Sequence, residues 1–94
     1  MKNYIINLTD IKSQYEFYET IVNGMEFPKW CGKNADAIWD MMTSHIITPC
    51  NITILGKDSL PYDLKDEFKL IEKILIDAKK RKEKFNKQLN ISIK

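Results

Sequence analysis

Several hallmarks of membrane, secreted and metal-binding proteins are absent from this 94-residue sequence. No apolar run approaches the roughly 18 residues that a membrane-spanning helix needs. Cys31 and Cys50 form neither a CxxC motif nor a metal-ligand spacing, and the first residues lead into a predicted strand without a signal-peptide core. Internal repeats and linkers are also lacking. We therefore expect a single domain over residues 1–94, with one modest core, in the reducing cytoplasm.

The apolar pattern predicts an α/β fold. Short strands are expected at residues 4–8, 51–55 and 89–93. Thr9 or Asp10 should cap the approach to a first helix that ends at Gly24. A long helix should run from about Asp63 to about Phe85, with Ile76 facing solvent. Its core stripe has spacings of four and three and consists of Leu64, Phe68, Ile71, Leu75 and Ala78. Because helices separate the strands, we expect a three-stranded, mostly parallel sheet covered by helices.

A second helix carries the most informative pattern in the chain. Gly32 interrupts the preceding structure and Asn34 is a good N-cap, so the helix should begin at Ala35. One side of this helix forms a core stripe around Ile38, made of Ala35, Ala37, Met41, Met42 and His45. The opposite arc carries Asp36, Trp39, Asp40 and Thr43, with Trp39 at the edge nearest the core.

The two acids on this arc do not stabilise the helix. Asp36 and Asp40 are four residues apart and repel each other, and Asp40 gains nothing from the helix dipole. One interpretation is that both are ordinary solvated charges beside a boundary tryptophan. The other is that Trp39 and the carboxylates form a hot spot for a cationic partner, since carboxylates pair bidentately with arginine.

A family resemblance bears on this choice. The residue types and their spacing in residues 27–43 resemble the signature segment of the barstar family, intracellular inhibitors of the secreted ribonuclease barnase. The residues that carry the resemblance are Phe27, Pro28, Gly32, Asn34, Asp36, Ala37, Trp39, Asp40 and Thr43. The order of strands and helices and the chain length also fit that family. The resemblance implies a barstar-like α/β fold and a ribonuclease, or a related toxin nuclease, as protein partner.

The resemblance also implies a mechanism and a set of partner-binding residues. A ribonuclease holds a phosphate in a concave basic pocket, and the inhibitor places a carboxylate there. Asp40 matches the inserted carboxylate, Asp36 matches a flanking acid, and Trp30 stands where barstar has a tyrosine. Other contact positions correspond to Asn34, Trp39, Thr43 and Ser44, and an acidic position on the long helix corresponds to Asp77. No catalytic residue, cofactor or metal is implied.

The charge distribution departs from the family. Barstar is strongly acidic, whereas this chain has a net charge of +2. Residues 1–78 contain twelve acids and eight bases, while residues 79–94 contain one acid and seven bases. Lys33 and Arg81 occupy positions where barstar has acids. Electrostatic steering should therefore be weaker, and the partner need not resemble barnase closely. Asp77 is either a contact residue or a solvated rim charge, which Arg81 four residues later is placed to pair with.

Binding of nucleic acid through the basic run at residues 79–84 is an alternative function. A helix spreads these charges around its cylinder, and no aromatic residues are interleaved with them for base stacking. A solvated helix end accounts for the run more simply, so we do not expect nucleic acid as the partner.

Catalysis is a third possibility. Cys31 and His45 could form a nucleophile and base, or Asp36, Asp40 and Asp77 could hold a divalent cation. However, His45 falls on the predicted core side, Cys31 has only Lys33 as a cationic neighbour, and the aspartates lack a glycine-rich ligand loop. We therefore do not expect an enzyme.

Overall fold

The computed structural model describes all residues from 1 to 94. It contains three strands and three α-helices in the order β1, α1, α2, β2, α3, β3. The strands are β1 (Lys2–Asn7), β2 (Cys50–Leu55) and β3 (Leu89–Ile93). The helices are α1 (Gln14–Gly24), α2 (Ala35–Ser44) and α3 (Lys65–Glu83). Two short 3₁₀ turns, Lys57–Ser59 and Tyr62–Leu64, connect β2 to α3. None of the helices is both long and apolar enough to cross a bilayer.

The three strands form one sheet in the order β1-β2-β3, and both pairs are parallel. Tyr4 pairs with Ile52, which in turn pairs with Ile91. These positions face the helices, and the core cluster built on this side of the sheet contains 24 buried residues. The predicted three-stranded α/β fold is confirmed, and the sheet is fully parallel.

Helices cover one face of the sheet, where the buried core residues lie. The opposite face carries a row of asparagines in register, Asn3, Asn51 and Asn90. The Nδ2 of Asn51 donates to Oδ1 of Asn3 at 3.0 Å, and the Nδ2 of Asn90 donates to Oδ1 of Asn51 at 2.9 Å. Parallel sheets are usually buried on both faces. Here a ladder of amide side chains satisfies the polar groups of the open face.

The start of α1 differs from the prediction. The N-cap is Ser13, whose Oγ accepts a hydrogen bond from the Glu16 amide at 3.1 Å, so the expected cap at Thr9 or Asp10 is wrong. Asp10 has a left-handed φ of 65°, and the Thr9 amide donates to Oδ1 of Asn7 at 3.0 Å. Residues 9 and 10 therefore belong to the loop after β1, and the helix starts four residues after Asp10. Gly24 is the last helical residue, as expected.

Helix α3 is the longest helix, and one side of it is buried in the core. It begins two residues after the expected start, because a 3₁₀ turn occupies Tyr62–Leu64, and it ends at Glu83. The predicted core stripe is buried throughout, and Ile76 is 42% exposed. A side-chain hydrogen bond joins α3 to α1, with the Tyr18 hydroxyl donating to the Glu67 carboxylate. Burial raises the pKa of Tyr18, and the hydrogen bond to Glu67 raises it further by a smaller amount.

Candidate functional site

Local sequence determines how α2 begins. Oδ1 of Asn34 accepts a hydrogen bond from the Ala37 amide at 2.8 Å, which confirms Asn34 as the N-cap. Gly32 lies close to this end of the helix. A Cβ atom added there would approach both the Ala37 Cβ and the Asn34 Nδ2 to 3.1 Å, which is tighter than most real contacts. The glycine thus lets the loop of residues 25–34 fold closely against the start of α2.

The two faces of α2 differ as its sequence pattern predicts. Ile38 and Met42 are completely buried. Asp36 and Asp40 are exposed, whereas Trp39 is half-buried and packs against the core. In the loop before α2, Trp30 is 75% exposed. The helix therefore packs Trp39 against the core and leaves two carboxylates accessible to another molecule, while the loop before it leaves the Trp30 indole accessible.

The acids of this surface have no cationic partner within the chain. The protein has 15 lysines and arginines, yet only two salt bridges form. They join Lys2 to Glu26 at 2.8 Å and Lys79 to Glu83 at 3.6 Å. Asp36, Asp40 and the half-buried Asp77 take part in neither, so Asp77 and Arg81 do not form the ion pair that their spacing allows. All three carboxylates remain available for intermolecular contacts.

Hydroxyl groups fasten the last turn of α2. The Thr43 hydroxyl donates to the carbonyl oxygens of Trp39 at 2.9 Å and Asp40 at 3.2 Å, and the Ser44 hydroxyl donates to the Asp40 carbonyl at 2.5 Å. Such bonds use the hydroxyl hydrogen inside the helix and leave oxygen lone pairs free to accept. Asn34 is similar, because its oxygen caps the helix while its exposed amide nitrogen can still donate.

A lysine of α3 contacts the same end of α2. Lys82 is only 8% exposed, and its Nζ donates to the Thr43 carbonyl at 3.4 Å. Burial, reinforced by the nearby charge of Lys87, lowers the pKa of Lys82. Sequence reasoning missed this residue because it counted Lys82 among the solvated charges of the basic run. The available signal was that Lys82 follows Leu75 and Ala78 at helical spacing and continues their buried stripe.

The candidate residues lie on three parts of the chain: the loop before α2, α2 itself and α3. Trp39, Asp40, Thr43 and Ser44 are linked by the hydrogen bonds of α2, whereas Trp30 lies apart on the preceding loop. Thr43 also lines a cavity with Arg81 and Lys82 of α3. Asp77 precedes Arg81 by one helical turn and so lies on the same side of α3. The ends of α2 and α3 therefore form one continuous surface.

The basic run is not a free cationic stripe. Nζ of Lys79 donates to the Leu89 carbonyl at 2.7 Å and lies near Glu83, while Lys82 is buried. These two lysines support the packing of α3 against β3 and α2. The arrangement does not favour a continuous nucleic-acid surface along this helix.

Cys31 and His45 do not hydrogen-bond to each other. Cys31 is buried, burial raises the pKa of its thiol, and the thiol donates to the Gly32 carbonyl at 3.5 Å. His45 is exposed as the C-cap of α2, with its ring edge-on to Phe27 at 6.2 Å between centroids, so its expected placement on the core side is wrong. No group of three or more His, Cys, Asp and Glu side chains is arranged to hold a metal ion.

Comparison with known proteins identifies the family. A Bacillus subtilis (strain 168) protein named "Putative ribonuclease inhibitor YrdF" is 27% identical over 89 residues, which cover 76% of this chain and 98% of that protein. The family model described as "Barstar (barnase inhibitor)" matches residues 1–94. The fold described above is consistent with both matches. The chain belongs to the barstar family.

Proposed function

We propose that this protein inhibits a ribonuclease, or a related toxin nuclease, by covering its active site with residues 30–44 and Asp77. Asp40 enters the pocket that binds the scissile phosphate, and Asp36 engages a neighbouring basic group. The protein acts as a stoichiometric binding partner in the cytoplasm and performs no catalysis itself. Both its cysteines are free and buried, as suits a reducing compartment.

The observation that carries this proposal is that the Asp40 carboxylate is exposed and unpaired on a helix that gains nothing from it. A carboxylate in this position is already free of internal bonds when it meets a partner's arginine or lysine. Charge-assisted hydrogen bonds formed in the dry centre of an interface are stronger than those on the surface. Asp40 can therefore contribute binding energy that it does not contribute to folding.

The two tryptophans provide the apolar part of the contact. Trp39 already packs against the core, so it loses little side-chain freedom on binding. Trp30 is exposed, but a tryptophan has only two side-chain torsions to fix for a large contact area. Large rigid rings beside the carboxylates would exclude water from the ion pairs. The hydroxyl oxygens of Thr43 and Ser44 and the amide of Asn34 supply weaker polar contacts around this centre.

The proposal is tested by inhibition of RNA cleavage. Barnase is one target, and the second is a nuclease recovered from the native cell on the tagged protein and purified away from it. We expect the wild-type protein to abolish cleavage by at least one of them at an equimolar ratio. Asp40→Asn should require a large excess, because it removes the charge and keeps the shape of the side chain.

The matched control is Asp66→Asn, which removes an equally exposed, unpaired carboxylate on another helix. It should inhibit as well as the wild type. The proposal is wrong if the wild-type protein leaves both nucleases fully active. The mechanism alone is wrong if Asp40→Asn and Asp66→Asn inhibit equally.

A further inference from the structure

A cationic cavity adjoins the proposed inhibitory surface. It has a volume of about 220 Å³ and lies between the C-terminal ends of α2 and α3. Its walls are Thr43, Arg81, Lys82, Phe85 and Lys87. Arg81 and Lys87 are exposed at its rim, Lys82 is buried, and Phe85 is 69% exposed. Three positive charges and one accessible aromatic ring thus surround a space that could hold a small acidic group.

No carboxylate of the chain balances these charges. Neither of the two salt bridges includes Arg81, Lys82 or Lys87. The ammonium group of Lys82 can donate three hydrogen bonds. It makes one, a long bond to the Thr43 carbonyl at 3.4 Å. A buried cation without an acidic partner is costly unless another molecule supplies the charge. The protein bears this cost next to its candidate binding surface.

We propose that this cavity binds the carboxylate of a glutamate or aspartate side chain on the partner nuclease. Recognition would then use both signs of charge, with acids of this protein entering the enzyme's basic site and an acid of the enzyme entering this cavity. The inference rests on the proposed function and assigns Arg81, Lys82 and Lys87 to the same interface.

The geometry of the cavity suits a single carboxylate. The Arg81 guanidinium can donate two parallel hydrogen bonds to the two oxygens of one carboxylate. Lys82 at the base and Lys87 at the rim can add further charge-assisted bonds. Phe85 provides an apolar wall for the methylene groups of the incoming side chain.

The surroundings favour an acidic protein side chain over an RNA strand. Thr43 belongs both to the cavity and to the hydrogen-bonded end of α2, and Asp77 lies one turn from Arg81. An RNA backbone carries a negative charge at every nucleotide, so a strand that extended from the cavity toward α2 would meet the unpaired acids there. A protein surface can place one acid at the cavity and basic groups opposite Asp77 and Asp40.

The first test titrates the free protein with N-acetylglutamate N-methylamide, whose only charge is the side-chain carboxylate, and follows backbone amide resonances. We expect saturable shifts at residues 43 and 81–87, which Arg81→Glu abolishes. Lys80→Glu is the matched control, since Lys80 is an exposed neighbour that does not line the cavity, and it should retain the shifts. The proposal is overturned if no saturable shifts occur. It is also overturned if a short oligouridylate shifts these resonances at lower concentration than the carboxylate does.

The second test uses a nuclease that the wild-type protein inhibits. We expect Arg81→Glu and Lys87→Glu each to raise the inhibition constant at least tenfold, while Lys80→Glu changes it less than threefold. Replacing one acid on the nuclease with lysine should restore inhibition by Arg81→Glu. Unchanged inhibition by both cavity variants would refute the cavity's role and leave the inhibitory function standing. Failure of the wild type to inhibit any nuclease would instead refute the function on which the inference rests.

Discussion

Helices α1 and α2 begin in the same way but use their polar residues differently. Each starts at a capping side chain, Ser13 or Asn34, that accepts a hydrogen bond from a backbone amide. In α1 the Tyr18 hydroxyl bonds within the chain by donating to Glu67 of α3. In α2 the carboxylates of Asp36 and Asp40 contact no cation at all. The Tyr18 hydroxyl of α1 contributes to folding, whereas the two carboxylates of α2 are available to a partner.

This contrast predicts that substitutions in the two helices separate stability from binding. Replacing an internally bonded group of α1 should lower the free energy of unfolding and leave partner affinity unchanged. Replacing an unpaired acid of α2 should weaken partner affinity without lowering the free energy of unfolding. The predictions below test this division in order of decreasing effect.

The largest expected effects are on binding by α2. Asp40→Ala and Trp39→Ala should leave the fold intact and each weaken partner binding by more than about 2 kcal/mol, because they remove the charge and the apolar anchor of the proposed hot spot. Titration calorimetry with an inhibited nuclease measures the change, and circular dichroism verifies folding. Asp66→Ala serves as the control. Folded variants that bind as tightly as the wild type would contradict the assignment of these residues to the interface.

A smaller effect, on stability, is expected from α1. Tyr18→Phe should lower the free energy of unfolding by about 1–2 kcal/mol, because it leaves the Glu67 carboxylate without its partner in a half-buried site. Nuclease affinity should not change. Urea denaturation and calorimetry measure the two quantities, and a loss of affinity at equal stability would contradict the contrast between the helices.

The same tyrosine predicts a dependence on pH. The pKa of Tyr18 is raised in the folded protein above its ordinary value of 10.0, so folded molecules retain this proton when unfolded ones lose it. The stabilising contribution is complete below pH 10 and is lost progressively as the pH rises above it. The slope of stability against pH above 10 should be shallower in Tyr18→Phe. Identical slopes would show that the hydroxyl does not stabilise the fold.

The two caps allow a matched comparison. Ser13→Ala and Asn34→Ala should each cost about 1 kcal/mol of stability, since each leaves a helix-terminal amide without its acceptor. Only Asn34→Ala should also weaken nuclease binding, because it alone lies beside the proposed interface. Thermal denaturation and calorimetry on the two variants measure these effects. Equal affinity in both would remove Asn34 from the partner-binding set.

Features governed by local sequence were predicted well. The cap at Asn34 and the buried side of α2 at Ile38 and Met42 follow from spacing within one helix. The cap of α1 was misplaced because Thr9, Asp10 and Ser13 are all capable of capping, and the choice depends on how the loop leaves β1.

Features that depend on distant residues could not be predicted. The burial of Lys82 follows from the contact of α3 with Thr43, 39 residues away in the sequence. The open sheet face follows from all helices packing on one side. Which acids remain unpaired also depends on where the lysines lie in three dimensions, and this absence of pairing is what distinguishes the candidate surface from ordinary charge.

The smallest predicted effect tests the contrast most directly, because stability and binding should move in opposite directions. Asp40→Asn removes the repulsion between Asp40 and Asp36 at four residues' spacing, so it should raise the free energy of unfolding by a few tenths of a kcal/mol. The same substitution should weaken nuclease binding. Asp36→Asn provides the comparison, since it relieves the same repulsion but loses a favourable interaction with the dipole at the start of α2, and its net effect on stability should be near zero. Urea denaturation at low and high salt measures both, and the gain from Asp40→Asn should shrink as salt screens the repulsion. A destabilised Asp40→Asn would mean that this carboxylate supports the fold, contrary to its assignment as a group held free for a partner.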